Sequence, residues 1–115
     1  MIMTMIKTIQ SNTFDSVLNI KNRTKNFVIL FLPSTYLLKQ SQQCIDTYVN
    51  LYKIYKDVYN FYIVDLDKSP ELIAKYGVSN VPTVHIFNSK NQLVAYNVFY
   101  KPSLDHLSQF LNTYK

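Results

Sequence analysis

A chain of 115 residues with a single glycine has almost no freedom to place left-handed turns. Only glycine enters the left-handed backbone region without steric cost. That residue, Gly77, follows a short amphipathic segment ending at Lys75-Tyr76. Pro82 comes five residues later, directly before the apolar run Thr83-Val84-His85-Ile86-Phe87. The arrangement predicts a helix stopped by Gly77 with positive φ, a short loop, and a strand entered through Val81-Pro82. One glycine and four prolines also argue against a turn-rich all-β protein.

The remaining elements follow from apolar spacing. Met5 to Gln10 can form a first strand, and Ser11 or Asn12 can cap a helix carrying Phe14, Val17, Leu18 and Ile20. Phe27 to Leu32 is a continuous apolar run of six, as expected for a strand buried on both faces of a parallel sheet. Leu37 to Tyr59 reads as one long helix, with Ile45, Tyr48, Val49, Leu51, Tyr52, Tyr55 and Val58 at three- and four-residue spacing. Phe61 to Asp67 is a further central strand. Ser69-Pro70-Glu71 reads as a helix start, with a cap, a proline at the first helical position and an acid in the first turn. Leu93 to Tyr100 forms a last strand, joined to Thr83–Phe87 by the polar loop 88–92. Ser103 can cap a final helix holding Leu104, Leu107, Phe110 and Leu111. The order βαβαβαββα predicts one α/β domain over residues 1–115, a three-layer sandwich with helices on both faces of a mixed central sheet.

Composition narrows the function classes. A lone Cys44 excludes an internal disulfide and a cysteine-cluster zinc site, and leans toward a reducing compartment. No apolar run approaches the ~20 residues that span a bilayer. The opening Met1 to Lys7 lacks a secretory h-region, and the first arginine is Arg23. The expectation is an intracellular, cytoplasmic protein, with an organelle left open. The net charge of +5 is spread along the chain, with one cluster at Lys21-Asn22-Arg23-Thr24-Lys25. It reads first as solubility and only second as attraction to nucleic acid.

Tyr76-Gly77-Val78 followed by Val81-Pro82-Thr83 resembles the signature of the thioredoxin family. Phe31 on the second strand, Asp65-Leu66-Asp67 at the end of the third, Ser69-Pro70 at the next helix, and Leu107, Phe110 and Leu111 fall in the same register. The resemblance covers about residues 5 to 114 and implies a thioredoxin fold. It also implies a cis peptide bond before Pro82 that exposes the backbone of Val81, an edge on which the family pairs extended peptides.

The departures from the family fall together. The redox Cys-x-x-Cys positions read Tyr36-Leu37-Leu38-Lys39, with no sulfur. Tyr36 cannot inherit the chemistry, because a phenol near pKa 10 does not exchange disulfides. The buried aspartate and its nearby lysine, which assist proton transfer in the family, correspond to Leu30 and Ile63. The glycine that leaves room for bound peptide corresponds to Tyr100. Tyr36, Val81, Pro82 and Tyr100 are therefore the candidate binding residues. They form either an aromatic docking patch or a plugged groove, and no residue is assigned a catalytic role.

Other chemistry-bearing residues have plainer readings. Cys44 lies two turns into the long helix, beyond reach of the dipole, and reads as a buried structural thiol. His85 and His106 have no Cys or acidic cluster beside them, so no metal site is expected, and no cofactor. Asp65 and Asp67 are solvated carboxylates at a strand-to-helix junction. Tyr48, Tyr52, Tyr55 and Tyr59 form one stripe, read as core packing with hydroxyls reaching the surface. The expected function is a redox-inactive, protein-binding thioredoxin-like domain: an adaptor, a chaperone-like module or a subunit of an assembly. The alternatives are a single-thiol oxidoreductase or isomerase using Cys44, and a basic subunit of a nucleic-acid-associated complex.

Overall fold

The computed structural model describes residues 6–10, 24–33, 38–78, 80–98 and 103–115, with side chains from residue 42 onward in the long helix. The elements are β1 (Lys7–Ile9), β2 (Asn26–Leu32), α1 (Leu38–Tyr55), β3 (Tyr59–Asp65), α2 (Glu71–Lys75), β4 (Thr83–Phe87), β5 (Leu93–Val98) and α3 (Leu104–Thr113). The helix expected after Ser11 or Asn12 lies outside the described residues.

The five strands form one sheet in the order β1-β3-β2-β4-β5. β3 runs parallel to β1 and β2, while β4 is antiparallel to both β2 and β5. This is the thioredoxin fold, a mixed sheet closed by an antiparallel hairpin. The all-apolar run of β2 explains its place at the centre. A central strand faces core on both sides, and Phe27 to Leu32 are all buried.

Alternation along β2 divides the core in two. Val28, Leu30 and Leu32 face α1 and α3, joining Cys44, Tyr48, Leu51, Leu107 and Leu111. Phe27, Ile29 and Phe31 face the α2 side, joining Ile9, Val64, Leu72, Val78 and Phe87. Stacked Phe27 and Phe87, with ring centroids 4.9 Å apart, anchor that second layer.

The helix ends report local chemistry. Ser103 accepts a hydrogen bond from the backbone N–H of His106, 3.3 Å away, and so caps α3 as its position predicts. Gly77 has φ +62°, and Val78 N–H closes the end of α2 on Ile73 O at 2.9 Å. The start of α2 differs from expectation. Pro70 is the capping residue, no side chain caps the helix, and Ser69 is fully buried. Ser69 contributes its carbonyl instead, accepting from Leu72 N–H at 3.1 Å.

The long helix also stops earlier than its periodicity suggests. It ends at Tyr55, the turn through Val58 closes by Val58 N–H donating to Tyr55 O, and Tyr59 opens β3 opposite Asn26 of β2. The tyrosine stripe therefore mixes three helical residues with one strand residue. Nor do all its hydroxyls reach water. Tyr48 Oη donates to buried carbonyls, Tyr62 O at 2.7 Å and Val28 O at 3.0 Å, and Tyr59 Oη to Leu111 O. Burial lifts the Tyr48 phenol well above its usual range and pushes Tyr59 up to about 12. Each ring thus ties the sheet to a helix by packing and by a hydrogen bond that removes the cost of burying its oxygen.

Candidate functional site

The parallel strands β2 and β3 end side by side, joined by Leu66 N–H donating to Leu32 O at 3.0 Å. Open α/β sheets build their sites at such carboxyl ends, where chains leaving neighbouring strands diverge and leave a crevice. Here the crevice is a cavity of about 380 Å³ lined by Pro33, Leu66, Asp67, Pro70, Ile73, Val78 and Val81. Among the described residues its wall is apolar apart from Asp67.

Each element places its lining residue for a local reason. Asp65 ends β3 and folds back, its carboxylate accepting from Asp67 N–H at 3.0 Å and its carbonyl accepting from Lys68 and Ser69. The two acids therefore shape a turn, with Asp67 beyond the strand end, and do not share a strand face. That turn delivers Pro70 and the short α2, which buries Leu72 beneath the sheet and leaves Ile73 41% exposed at the cavity rim. Gly77 reverses the chain so that Val78 is buried and Val81 returns to the cavity. The Val81–Pro82 peptide bond is cis, Val81 is half-buried and Pro82 is buried.

Of the four candidate binding residues, Val81 and Pro82 stand beside this cavity. Tyr36 and Tyr100 lie outside the described residues, as does Leu37. Leu38 and Lys39 are the first two residues of α1. The cavity adds Leu66, Pro70 and Val78, which the sequence marks only as family landmarks, and Pro33 and Ile73, which it does not single out. Their signal was positional, since each flanks a strand end or the Gly77 turn, but apolar residues at such places also read as ordinary core.

The register also places the two residues that the resemblance aligns with the family's acid and base. Leu30 and Ile63 are direct partners across β2 and β3, both buried in the α1/α3 layer. Hydrocarbon thus faces hydrocarbon across the two strands. Cys44 lies in this same layer, buried and free, and desolvation raises its pKa, so the thiol is held in its unreactive protonated form. His85 and His106 occupy opposite faces. His106 Nε2 meets Asn97 Nδ2 at 3.1 Å on the exposed α3 side. His85 is buried among Phe31, Phe87 and Tyr96 on the other side, and burial lowers its pKa to about 4. Among the described residues no three of His, Cys, Asp and Glu gather as a metal-ligating group, and no helix is long and apolar enough to cross a membrane.

These features describe a thioredoxin-like architecture without the Cys-x-x-Cys pair. The thioredoxin family profile matches residues 5–113, and the chain belongs to that family. Among solved structures it is similar to one described as the structural basis of the thiol resolving mechanism in yeast mitochondrial 1-Cys peroxiredoxin via glutathione/thioredoxin systems. That match has 20% identity, a TM-score of 0.76, and 96% of each chain covered. It is also similar to the thioredoxin of Malassezia sympodialis, described as a member of a pan-allergen family, at 18% identity and TM-score 0.76, covering 94% of this chain and 89% of that one. At these identities the likeness concerns the fold. Comparison with curated proteins finds no match.

Proposed function

We propose that this chain is a redox-inactive thioredoxin-family domain that binds an extended segment of a partner protein at the crevice beside Val81-Pro82, as an adaptor, chaperone-like module or assembly subunit. The observation that carries the reading is the apolar cavity beside Val81, where Asp67 is the one titratable group among the described lining residues and none of them carries sulfur. Such a surface suits an apolar side chain of the partner while its main chain runs along the Val81 edge. Tyr36 and Tyr100 are proposed to flank it, because tyrosine combines a large apolar face with a polar tip and is common in binding hot spots.

The single-thiol alternative requires a reachable thiolate, and burial with a raised pKa disfavours one at Cys44. Two measurements test the proposal. Insulin reduction should stay at background in wild type and in Cys44→Ser. Turnover that survives the substitution overturns the redox-inactive reading. Affinity capture from the native source should return a partner whose binding falls at least about tenfold in Ile73→Lys, which places a charge at the cavity rim. Undiminished capture by a folded Ile73→Lys variant removes the crevice from the account.

A further inference from the structure

The end of the sheet opposite the Val81 crevice carries lysines and exposed apolar side chains together. We propose that this end is a docking surface for an anionic lipid bilayer, on which the domain lies with its crevice turned to the water.

Strand register brings these residues to one end. Tyr59 opens β3 opposite Asn26 of β2, so the turn before it, with Lys56 and Val58, lies beside Lys25 at the entry to β2. Val58 N–H donates to Tyr55 O at 2.9 Å, which joins the last turn of α1, with Lys53 and Ile54, to the same end. Phe87 pairs with Phe27 and with Leu93, so the loop 88–92, with Lys90, leaves the sheet at that level too. Asn26 Nδ2 donates to Tyr114 O at 3.3 Å and holds the end of α3 there. A bilayer is a plane, so these residues need share only an end of the molecule and not a point in space.

The charges are polarised along the strands. Lys53, Lys56 and Lys90 are exposed and Lys25 is half-buried. Among the described residues none of the four is ion-paired, and Asp57 is the one acid at this end. The crevice end has the opposite balance. Asp65 closes β3, Asp67 and Glu71 follow it, and Asp105 lies in the first turn of α3, against Lys68 and Lys75. A negative surface therefore attracts the lysine end and repels the crevice end.

Charge alone would fit any polyanion, and the apolar side chains select among them. Ile54 is 56% exposed, Leu93 48%, and Val58 and Tyr114 37% each. The charged edge of a nucleic acid gives such groups nothing to bury against. A bilayer takes them below its headgroups while the lysine heads stay at the phosphates. Tyrosine suits that boundary, with its ring toward the acyl chains and its hydroxyl in water. Lysine meets headgroup phosphates as a point charge from any direction, without the fixed geometry of an arginine fork.

Co-sedimentation of the full chain with vesicles tests the surface. Phosphatidylcholine vesicles are compared with vesicles that also contain phosphatidylserine. Binding is expected to the anionic vesicles only, and it should weaken as salt is raised. Lys56→Gln and Lys90→Gln should each weaken it by about fivefold, the factor that one lysine contributes near an anionic surface. Lys68→Gln and Lys75→Gln, which remove equal charge at the crevice end, should each leave it within about twofold. Leu93→Ser and Val58→Ser keep the charge and should each weaken it by about threefold or more. The proposal is overturned by no binding, by equal binding to neutral vesicles, or by equal losses in the two lysine pairs (net charge only). It is also overturned by undiminished binding of Leu93→Ser and Val58→Ser, or by tighter binding to a DNA duplex or a polyglutamate peptide at the same salt. None of the variants expected to weaken binding touches the crevice, so vesicle binding and partner capture fail independently.

Discussion

On the face of the sheet covered by α1 and α3, Tyr48 is buried and its hydroxyl is shared between two strand carbonyls. On the opposite face His85 is equally enclosed, yet its Nδ1 has no hydrogen-bond partner among the described residues. Both faces carry a polar group in an aromatic setting, but among the described residues only one supplies it with a hydrogen-bond partner. A buried polar atom with a partner costs little and locks one arrangement, whereas one without a partner carries its full desolvation cost, about 1–3 kcal/mol. The two faces therefore differ in how polarity is tolerated, and the Leu30–Ile63 pair extends the contrast, because the α1/α3 layer has no charged group at its centre.

The sharpest way to break this contrast is to put charge back where none remains. Leu30→Asp should lower stability by about 3 kcal/mol or more, because an isolated carboxylate cannot be solvated there. Adding Ile63→Lys opposite it should recover part of the loss. Urea unfolding of the two single variants and the double variant measures both effects, and a cost for Leu30→Asp under about 1 kcal/mol would show that water reaches the layer. Next in size, Tyr48→Phe removes a hydroxyl but little volume. It should cost about 1–2 kcal/mol, detectable as a lower denaturation midpoint at unchanged slope.

The histidine face should respond in the opposite sense. His85→Leu should be neutral or stabilising by about 1 kcal/mol at pH 7, since the replacement has no atom to desolvate. The same variant checks a pH effect. His85 titrates near 4 in the fold against 6.5 when unperturbed. As pH falls, the unfolded chain takes the proton first, so stability is full above about 6.5 and is lost toward pH 4, with a slope up to about 1.4 kcal/mol per pH unit. Unfolding midpoints across that window should fall less steeply in His85→Leu than in wild type. Parallel curves would mean that Nδ1 is solvated after all.

Much of the architecture was legible because its signals are local. Gly77 reports its own backbone angle, Ser103 its own cap, and the run Phe27–Leu32 its own burial, each decided within a turn or a strand. The early stop of the long helix was not legible, since Tyr59 continues the helical spacing perfectly well. Pairing with Asn26 of β2 makes it a strand residue. The absence of sulfur from Tyr36 to Lys39 was plain, and so were the hydrocarbons Leu30 and Ile63, although only the sheet register puts one beside the other.

Residue identity alone determined the family, the missing dithiol and the apolar character of Leu30 and Ile63, because those depend on which atoms are present at each position. Tertiary structure decided the rest. It gave Tyr48 two acceptors and, among the described residues, left His85 Nδ1 without a partner, and it opened an apolar crevice beside Val81. These are contacts between residues far apart in the chain. Their energy depends on what lies across a few ångströms of space, which no stretch of sequence read by itself contains.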